Sequence, residues 1–312
     1  MERKTISIAV PCYNEEGNIE ELYRRVNEVM NSLPEYDYEF VFIDNKSTDA
    51  SREILKRLAE QDKRVKVILN QNNFGPEPSS AHGLLSCEGD AVVGMACDLQ
   101  DPPELIPQFI KKWESGSKIV MGRNSESEER GPIKLFRNCY YSLIENLAGT
   151  TGYRHVSGFG LYDKSVVGVL RDSGDPCPVY RLTFMRYGYE PEFVDYKKPE
   201  RVSGKSSYSF LSYFGMVVES ALTISRRPAH VIAFAGVIAS VIFALLFIAM
   251  LVLGAVTSEF VFFYLSGISF VCLGIGLLVL VLGVVGTYVA LCFEWVRSAP
   301  LVLEEERLNW RS

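Results

Sequence analysis

The seven cysteines of this chain, at positions 12, 87, 97, 139, 177, 272 and 292, include no CxxC pair. That spacing gives neither a zinc framework nor a disulfide scaffold and fits reduced thiols. No GxGxxG and no GxxxxGK[ST] follows the first apolar run, so a dinucleotide-binding or P-loop reading lacks its main feature. Before that run stand only Met1, Glu2, Arg3 and Lys4, with no apolar h-region, and residues 1–228 are expected to stay in the cytosol. A basic excess is also missing. The net charge of −6 argues against a general nucleic-acid binder. Charge itself disappears from two long stretches. Residues 229–256 contain no Asp, Glu, Lys or Arg; Glu259 interrupts, and residues 260–293 are again free of them. Each stretch exceeds the ~20 residues that cross a bilayer as a helix. Neither carries the polar face of a soluble helix.

What is present before position 228 alternates. Short apolar runs at residues 6–11, 38–44, 65–69 and 90–96 read as strands. Between them, residues 18–30, 47–62 and 79–87 read as helices, the second opening on the capping chemistry of Ser47, Thr48 and Asp49. This rhythm predicts an α/β fold with a mostly parallel sheet and helices on both faces. Ligands bind such sheets beyond the carboxyl ends of the strands. Polar clusters fall at three of those ends: Pro11 to Glu15, Asp44 with Asn45, and Asp98 to Asp101.

The third cluster is the most informative. Asp98-Leu99-Gln100-Asp101-Pro102-Pro103-Glu104 delivers two carboxylates and an amide oxygen to a strand end, and its prolines stop the strand. Such a hard-oxygen set suits Mg2+ or Mn2+ carrying a diphosphate. An acidic turn that only caps a helix is the alternative for this segment taken alone.

Together these residues resemble family 2 glycosyltransferases with a GT-A (Rossmann-like) fold. Val10 to Asn18 resembles the opening motif, and Phe42 to Asp49 resembles the second, usually D-D-G-S-x-D. Asn73-Phe74-Gly75 and the segment from Asp98 to Glu104 match the branch that glycosylates polyprenyl phosphates. That branch includes dolichol-phosphate mannose synthases and bacterial undecaprenyl-phosphate glucosyltransferases. The resemblance implies that Pro11, Tyr13, Glu15 and Asp44 line a nucleotide pocket, and that Asp98 and Gln100 hold the metal. It implies inverting transfer of a hexose from a nucleotide sugar, such as a UDP-hexose, to polyprenyl phosphate. Asp101 would then be a base or an outer partner of the metal, with a helix-start cap as its alternative. Arg123 would sit at the site's edge. Arg201, Lys205 and Ser206, within a segment like R-x-x-G-x-S-K-Y, would hold the acceptor phosphate or face anionic headgroups.

The chain departs from the family pattern at four places. Ala96 stands where Asp is usual, and Asn45 replaces a second Asp. Gly158 and Gly160 replace the Asp and Arg of a G-D-F-R-L motif. Two other classes therefore stay open: a membrane scaffold that binds nucleotide sugar without turnover, and a processive polysaccharide synthase. The latter wants a Q-x-x-R-W motif, which is missing.

The expected organisation is a transferase domain at 1–208, an interfacial amphipathic helix at 209–228, membrane helices at 229–256 and 260–293, and a tail at 294–312. Arg226, Arg227 and Arg297 flank the membrane pair on one side, which places both ends in the cytosol of a multi-pass inner-membrane protein. Gly236 with Ser240, and Gly283 with Thr287, are small pairs suited to helix packing and a homo-oligomer.

Overall fold

The computed structural model describes residues 3–124, 156–174, 187–197, 260–297 and 300–310, with single positions at 180, 184, 199, 248, 252, 255 and 256. The chain divides into two compact units, Met1–Tyr213 with Ser298–Ser312, and Phe214–Arg297.

The first unit is built on one sheet. Its strands are β1 (Lys4–Cys12), β2 (Tyr36–Asp44), β3 (Val65–Asn70), β4 (Ala91–Gly94), β5 (Ile119–Asn124), β6 (Val156–Asp163), β7 (Glu192–Tyr196) and β8 (Glu304–Leu308). Their order across the sheet is β7-β5-β6-β4-β1-β2-β3-β8. The centre, β4-β1-β2-β3, is parallel, as the alternation of strands and helices predicts. β5 and β7 are also parallel, whereas β6 runs against both β4 and β5, and β8 runs against β3.

Its helices are α1 (Ile19–Asn31), α2 (Ser51–Gln61), α3 (Pro76–Ser86), α4 (Ile106–Glu114) and α5 (Lys164–Asp172). Strand side chains alternate between the two faces. Ile6, Ile8, Val10, Phe40 and Phe42 share one core with Leu22 and Val26 of α1, Leu55 of α2 and Phe109 of α4. α3 packs on β1 and β2. A Cβ added to Gly83 of α3 would lie 3.0 Å from Ile43 Cγ2, so glycine lets that helix approach the sheet closely. Helices on both faces leave the central strands buried and apolar along their length.

Two boundaries differ from the sequence expectation. α2 begins at Ser51, not near residue 47, because Ser47, Thr48 and Asp49 bond elsewhere. Ser47 Oγ accepts the Asn14 amide at 2.9 Å, and Asp49 accepts the amides of Ser51 and Glu16. α3 begins at Pro76, a first-turn position where the missing N–H costs nothing. The tail expected at 294–312 is structured: Glu304–Leu308 closes the sheet's free edge along β3.

In the second unit, α6 runs 38 residues, Phe260–Arg297, with no charged side chain before Glu294. Such a helix is about 57 Å long at ~1.5 Å per residue. Counted over the described residues alone, no helix is long and apolar enough to cross a membrane. Phe260, Tyr264, Leu282 and Val289 of α6 are exposed. The segments 209–228 and, except for four positions, 229–256 lie outside the described residues.

Candidate active site

Strands β1, β2 and β4 are neighbours and parallel, so their carboxyl ends deliver three loops to one edge of the sheet. Each loop carries a non-glycine residue in the left-handed region: Asn14 (φ 56°), Lys46 (φ 64°) and Leu99 (φ 61°). Such a conformation costs on the order of 1 kcal/mol or more for an L-residue and persists only where neighbours enforce it.

The neighbours that enforce it are visible. Asn45 N donates to Cys12 O at 2.9 Å, and Thr48 N to Asn14 Oδ1 at 2.8 Å. Glu15 N donates to Ser51 Oγ at 2.8 Å, and Ala50 N to Glu16 Oε2 at 2.9 Å. The first two loops are thereby one hydrogen-bonded body. Asn45, buried, extends it to the third strand. Its Nδ2 donates to Asn73 Oδ1 and Gly75 O, while its Oδ1 accepts from Ser79 Oγ, Phe74 N and Asn70 Nδ2.

Asp44 is fully buried at the end of β2. Its carboxylate accepts the amides of Lys46 and Ser47 and lies 3.2 Å from Arg52 Nε. Arg52 carries no signal in the sequence beyond helix amphipathicity, yet it is the cation paired with this carboxylate. Tyr13, by contrast, leaves 41% of its surface exposed, enough for a base to stack on. Glu15 Oε2 accepts from Asn18 Nδ2 at 2.6 Å, and its carbonyl receives the amides of Asn18 and Ile19 at the start of α1.

In the third loop, Asp98 is buried and Asp98 Oδ1 accepts the Gln100 amide at 3.2 Å. Gln100 Nε2 reaches Pro199 O at 3.4 Å. Asp101, also buried, accepts the Ala96 amide at 2.9 Å and the Tyr196 hydroxyl at 3.2 Å. Asp101 thus braces the turn and does not cap α4. Glu104 holds the turn to α1 through a bidentate ion pair with Arg25.

A cavity of about 110 Å³ opens by the carboxyl ends of β1 and β4, lined by Pro11, Ala96, Asp101, Gly158, Phe159 and Tyr180 among others. Cys12 and Cys97 are buried near it. A hydrogen bond with Cys97, and then burial, push the Cys12 thiol well up, so it stays un-ionised and is a poor nucleophile. Arg123 lies at the end of β5, with β6 between it and β4. It forms a paired contact with Asp195 at 2.6 and 3.0 Å, and stacks over Phe193. Arg201, Lys205 and Ser206 lie outside the described residues.

The family profile described as Glycosyl transferase family 2 matches residues 7–170, which take in all three loops and β6. The chain belongs to glycosyl transferase family 2. It is 30% identical to an uncharacterized glycosyltransferase, YkcC, of Bacillus subtilis over 96% of this chain and 93% of that protein. It is equally identical to the SfII prophage-derived bactoprenol glucosyl transferase of Shigella flexneri, over 95% of this chain and 96% of that protein. Among solved structures it is similar to glucosyl-3-phosphoglycerate synthase from Mycobacterium tuberculosis in complex with Mg2+ and UDP. There the TM-score is 0.48 at 17% identity, over 71% of this chain and 79% of that one.

The four departures from the family pattern now have structural accounts. Asn45 both donates and accepts, which a carboxylate in its place could not do. Ala96 supplies no carboxylate, but its amide draws in that of Asp101. A Cβ on Gly158 would stand 3.2 Å from Tyr180 Oη, so the phenol takes space next to the position of the usual Asp. A Cβ on Gly160 would stand 2.4 Å from Val120 O, so β5 and β6 approach too closely for the usual Arg.

Proposed function

We propose that this glycosyltransferase carries out inverting transfer of a hexose from a nucleotide sugar, UDP-glucose or another UDP-hexose, to polyprenyl (undecaprenyl) phosphate. The transfer would serve cell-surface glycan modification. The observation that carries the reading is the meeting of three strained loops at the carboxyl ends of β1, β2 and β4, the first two bonded to each other, with Tyr13 exposed and Asp98 and Asp101 buried there. The near full-length likeness to proteins named bactoprenol glucosyl transferase supports the acceptor.

In this reading Pro11, Tyr13, Glu15 and Asp44 form the nucleotide side. Tyr13 stacks on the base, and Asp44 fixes the loop that meets it. A divalent cation, Mg2+ or Mn2+, fits the hard oxygens of Asp98 and Gln100. Among the described residues no three His, Cys, Asp or Glu side chains cluster as metal ligands. Such an ion would be held by one or two protein oxygens, with the diphosphate and water as its other partners. When bound, the ion neutralises the departing diphosphate. The acceptor phosphate is largely dianionic at neutral pH and is itself the nucleophile. Its oxygen bonds to the anomeric carbon as the bond to the nucleoside diphosphate breaks, and the diphosphate leaves with the electron pair. The chain's residues orient the two partners and exclude water. Arg201, Lys205 and Ser206 are assigned to the acceptor phosphate, with Arg123 at the site's edge.

We also place the protein in the inner membrane, with spans at 229–256 and 260–293 and both ends cytosolic. The apolar residues exposed along α6 support this. Lipid is then a partner, and the small pairs on the spans offer a homo-oligomer contact.

The test is paired. Purified protein is titrated with UDP with and without Mn2+ by calorimetry, then assayed with UDP-hexoses and undecaprenyl phosphate. Asp98→Asn should abolish the metal-dependent gain in UDP affinity and reduce transfer by about 10²-fold or more. Full transfer in EDTA, or an unaltered Asp98→Asn, would refute the metal assignment. UDP binding with no transfer to any lipid phosphate would favour the scaffold reading.

A further inference from the structure

The last strand of the chain touches the nucleotide side of the site from a sequence distance of more than 250 residues. Lys46 Nζ donates to Glu305 Oε2 at 2.7 Å, and Arg52 NH2 donates to the same oxygen at 2.9 Å. Arg52 Nε in turn lies 3.2 Å from the fully buried Asp44. Lys46 is the left-handed residue of that loop. Glu305 therefore pairs with Lys46 of a strained loop and with Arg52 of the following helix α2, beside a carboxylate sealed from water.

The pairing of β8 with β3 singles out this residue. Leu69 pairs with Glu306 and Asn70 with Glu304, so Glu305 is the extra residue of a bulge. Bulges break a strand's alternation and re-aim a side chain, often beside functional sites. The flanking acids bind elsewhere: Glu306 to Lys56 at 2.6 Å, and Glu304 to His82 and Arg307. Beyond the strand, Asn309 Nδ2 donates to Ala59 O and Val65 O, and Lys66 and Arg307 lie over the Trp310 ring. The strand is thus fixed independently of Glu305. The pull of Lys46 and then Arg52 holds the Glu305 carboxyl down to about 2, so it is ionised at any working pH.

We propose that the C-terminal strand is a working part of the donor site, and that Glu305 is a positioning residue acting through Arg52 and Lys46 on Asp44 and its loop. This rests on the donor-site reading above. The chemistry it serves is recognition of a nucleoside diphosphate by the loop after β2.

The experiment uses the full chain in detergent or nanodiscs and compares Glu305→Gln, Glu305→Asp and Glu306→Gln. UDP affinity, donor KM, lipid KM and melting temperature are measured on each. Glu305→Gln should raise the UDP Kd and donor KM roughly three- to tenfold, as expected for loss of a charge-assisted network. Lipid KM and melting temperature should hold, Glu305→Asp should recover part of the affinity, and Glu306→Gln should match the wild type. Equal effects of Glu305→Gln and Glu306→Gln would overturn the proposal, since both acids would then only dock the strand. So would a lowered melting temperature with donor KM unchanged. A wild-type protein that binds no nucleoside diphosphate would instead remove the donor-site reading itself, and this proposal with it.

Discussion

Single residues decide how the loops at the sheet's carboxyl edge are held. Asn45 is the clearest case, because the residue usual at its place in the family is an acid. Asn45→Asp would lose the donations to Asn73 Oδ1 and Gly75 O and bury a charge among acceptors. It should destabilise the fold by about 2 kcal/mol, the cost of leaving buried polar groups unpaired. Denaturant unfolding checks this, and an unchanged midpoint would refute it. Asp163 sets an acid limit on stability. It caps α5 and accepts from Trp113 Nε1 at 2.7 Å and Lys118 Nζ at 3.0 Å. Burial acts to raise its carboxyl, but hydrogen bonds from Ser165, Trp113 and Lys118 outweigh it and hold the group at about 2, below its ordinary 3.8. A depressed carboxylate contributes stability that is complete above 3.8 and is lost as pH falls through 2. Wild-type stability should therefore fall between about pH 4 and pH 2, and Asp163→Asn should flatten that segment of a melting-temperature profile. At this scale the sequence was informative about which residues stand at strand ends and silent about their partners. Tyr13, Asp44 and Asp98 follow from motif position alone. Arg52 and Glu305 do not, because the contacts that matter join them across the fold.

At the level of elements, the central strands and the helices between them were legible because their periodicities differ and the strands are buried on both faces. A Ser-Thr-Asp run looks like a cap from within the chain and moves the expected start of α2 four residues early, whereas Ser47 and Thr48 bond the neighbouring loop and Asp49 divides between that loop and the Ser51 amide. β8 was missed for a related reason. Glu304 to Leu308 is acidic and lacks apolar alternation, and its acids pair with cations on α2 and the β2 loop. Close approach of strands was equally invisible. Gly160 reads as a lost arginine in the sequence and as a contact between β5 and β6 in the fold. Gly160→Ala should lower stability by roughly 1–3 kcal/mol, the usual cost of overpacking, and Gly160→Arg by more. Thermal melts of the two variants would show it, and a neutral alanine would mean that β5 yields.

For the whole molecule, connectivity constrains topology. The chain leaves the first unit after Tyr213 and rejoins it at Ser298, and β8 belongs to the same sheet as β1. If Phe214–Arg297 enters the bilayer, it must cross an even number of times. Single cysteines placed at residues 2 and 311 in a chain cleared of its own cysteines should be equally shielded from a membrane-impermeant maleimide in intact cells. One placed at 258 should be labelled. Labelling of residue 311 but not residue 2 would rule out the paired spans.

The discontinuity of the first unit also orders events in time. β8 is made after the other strands of its sheet, so β3 remains an open edge while α6 is still leaving the ribosome. At about 5–20 residues per second, the stretch from Asn70 to Glu304 makes that wait roughly 10–50 seconds. Until β8 emerges, Lys46 and Arg52 lack Glu305, and the loop that carries Asp44 is unbraced. The nascent protein therefore has a built-in delay: its sheet can close only once the segment preceding β8 is complete, and a chain truncated before Glu304 would remain in that unfinished state.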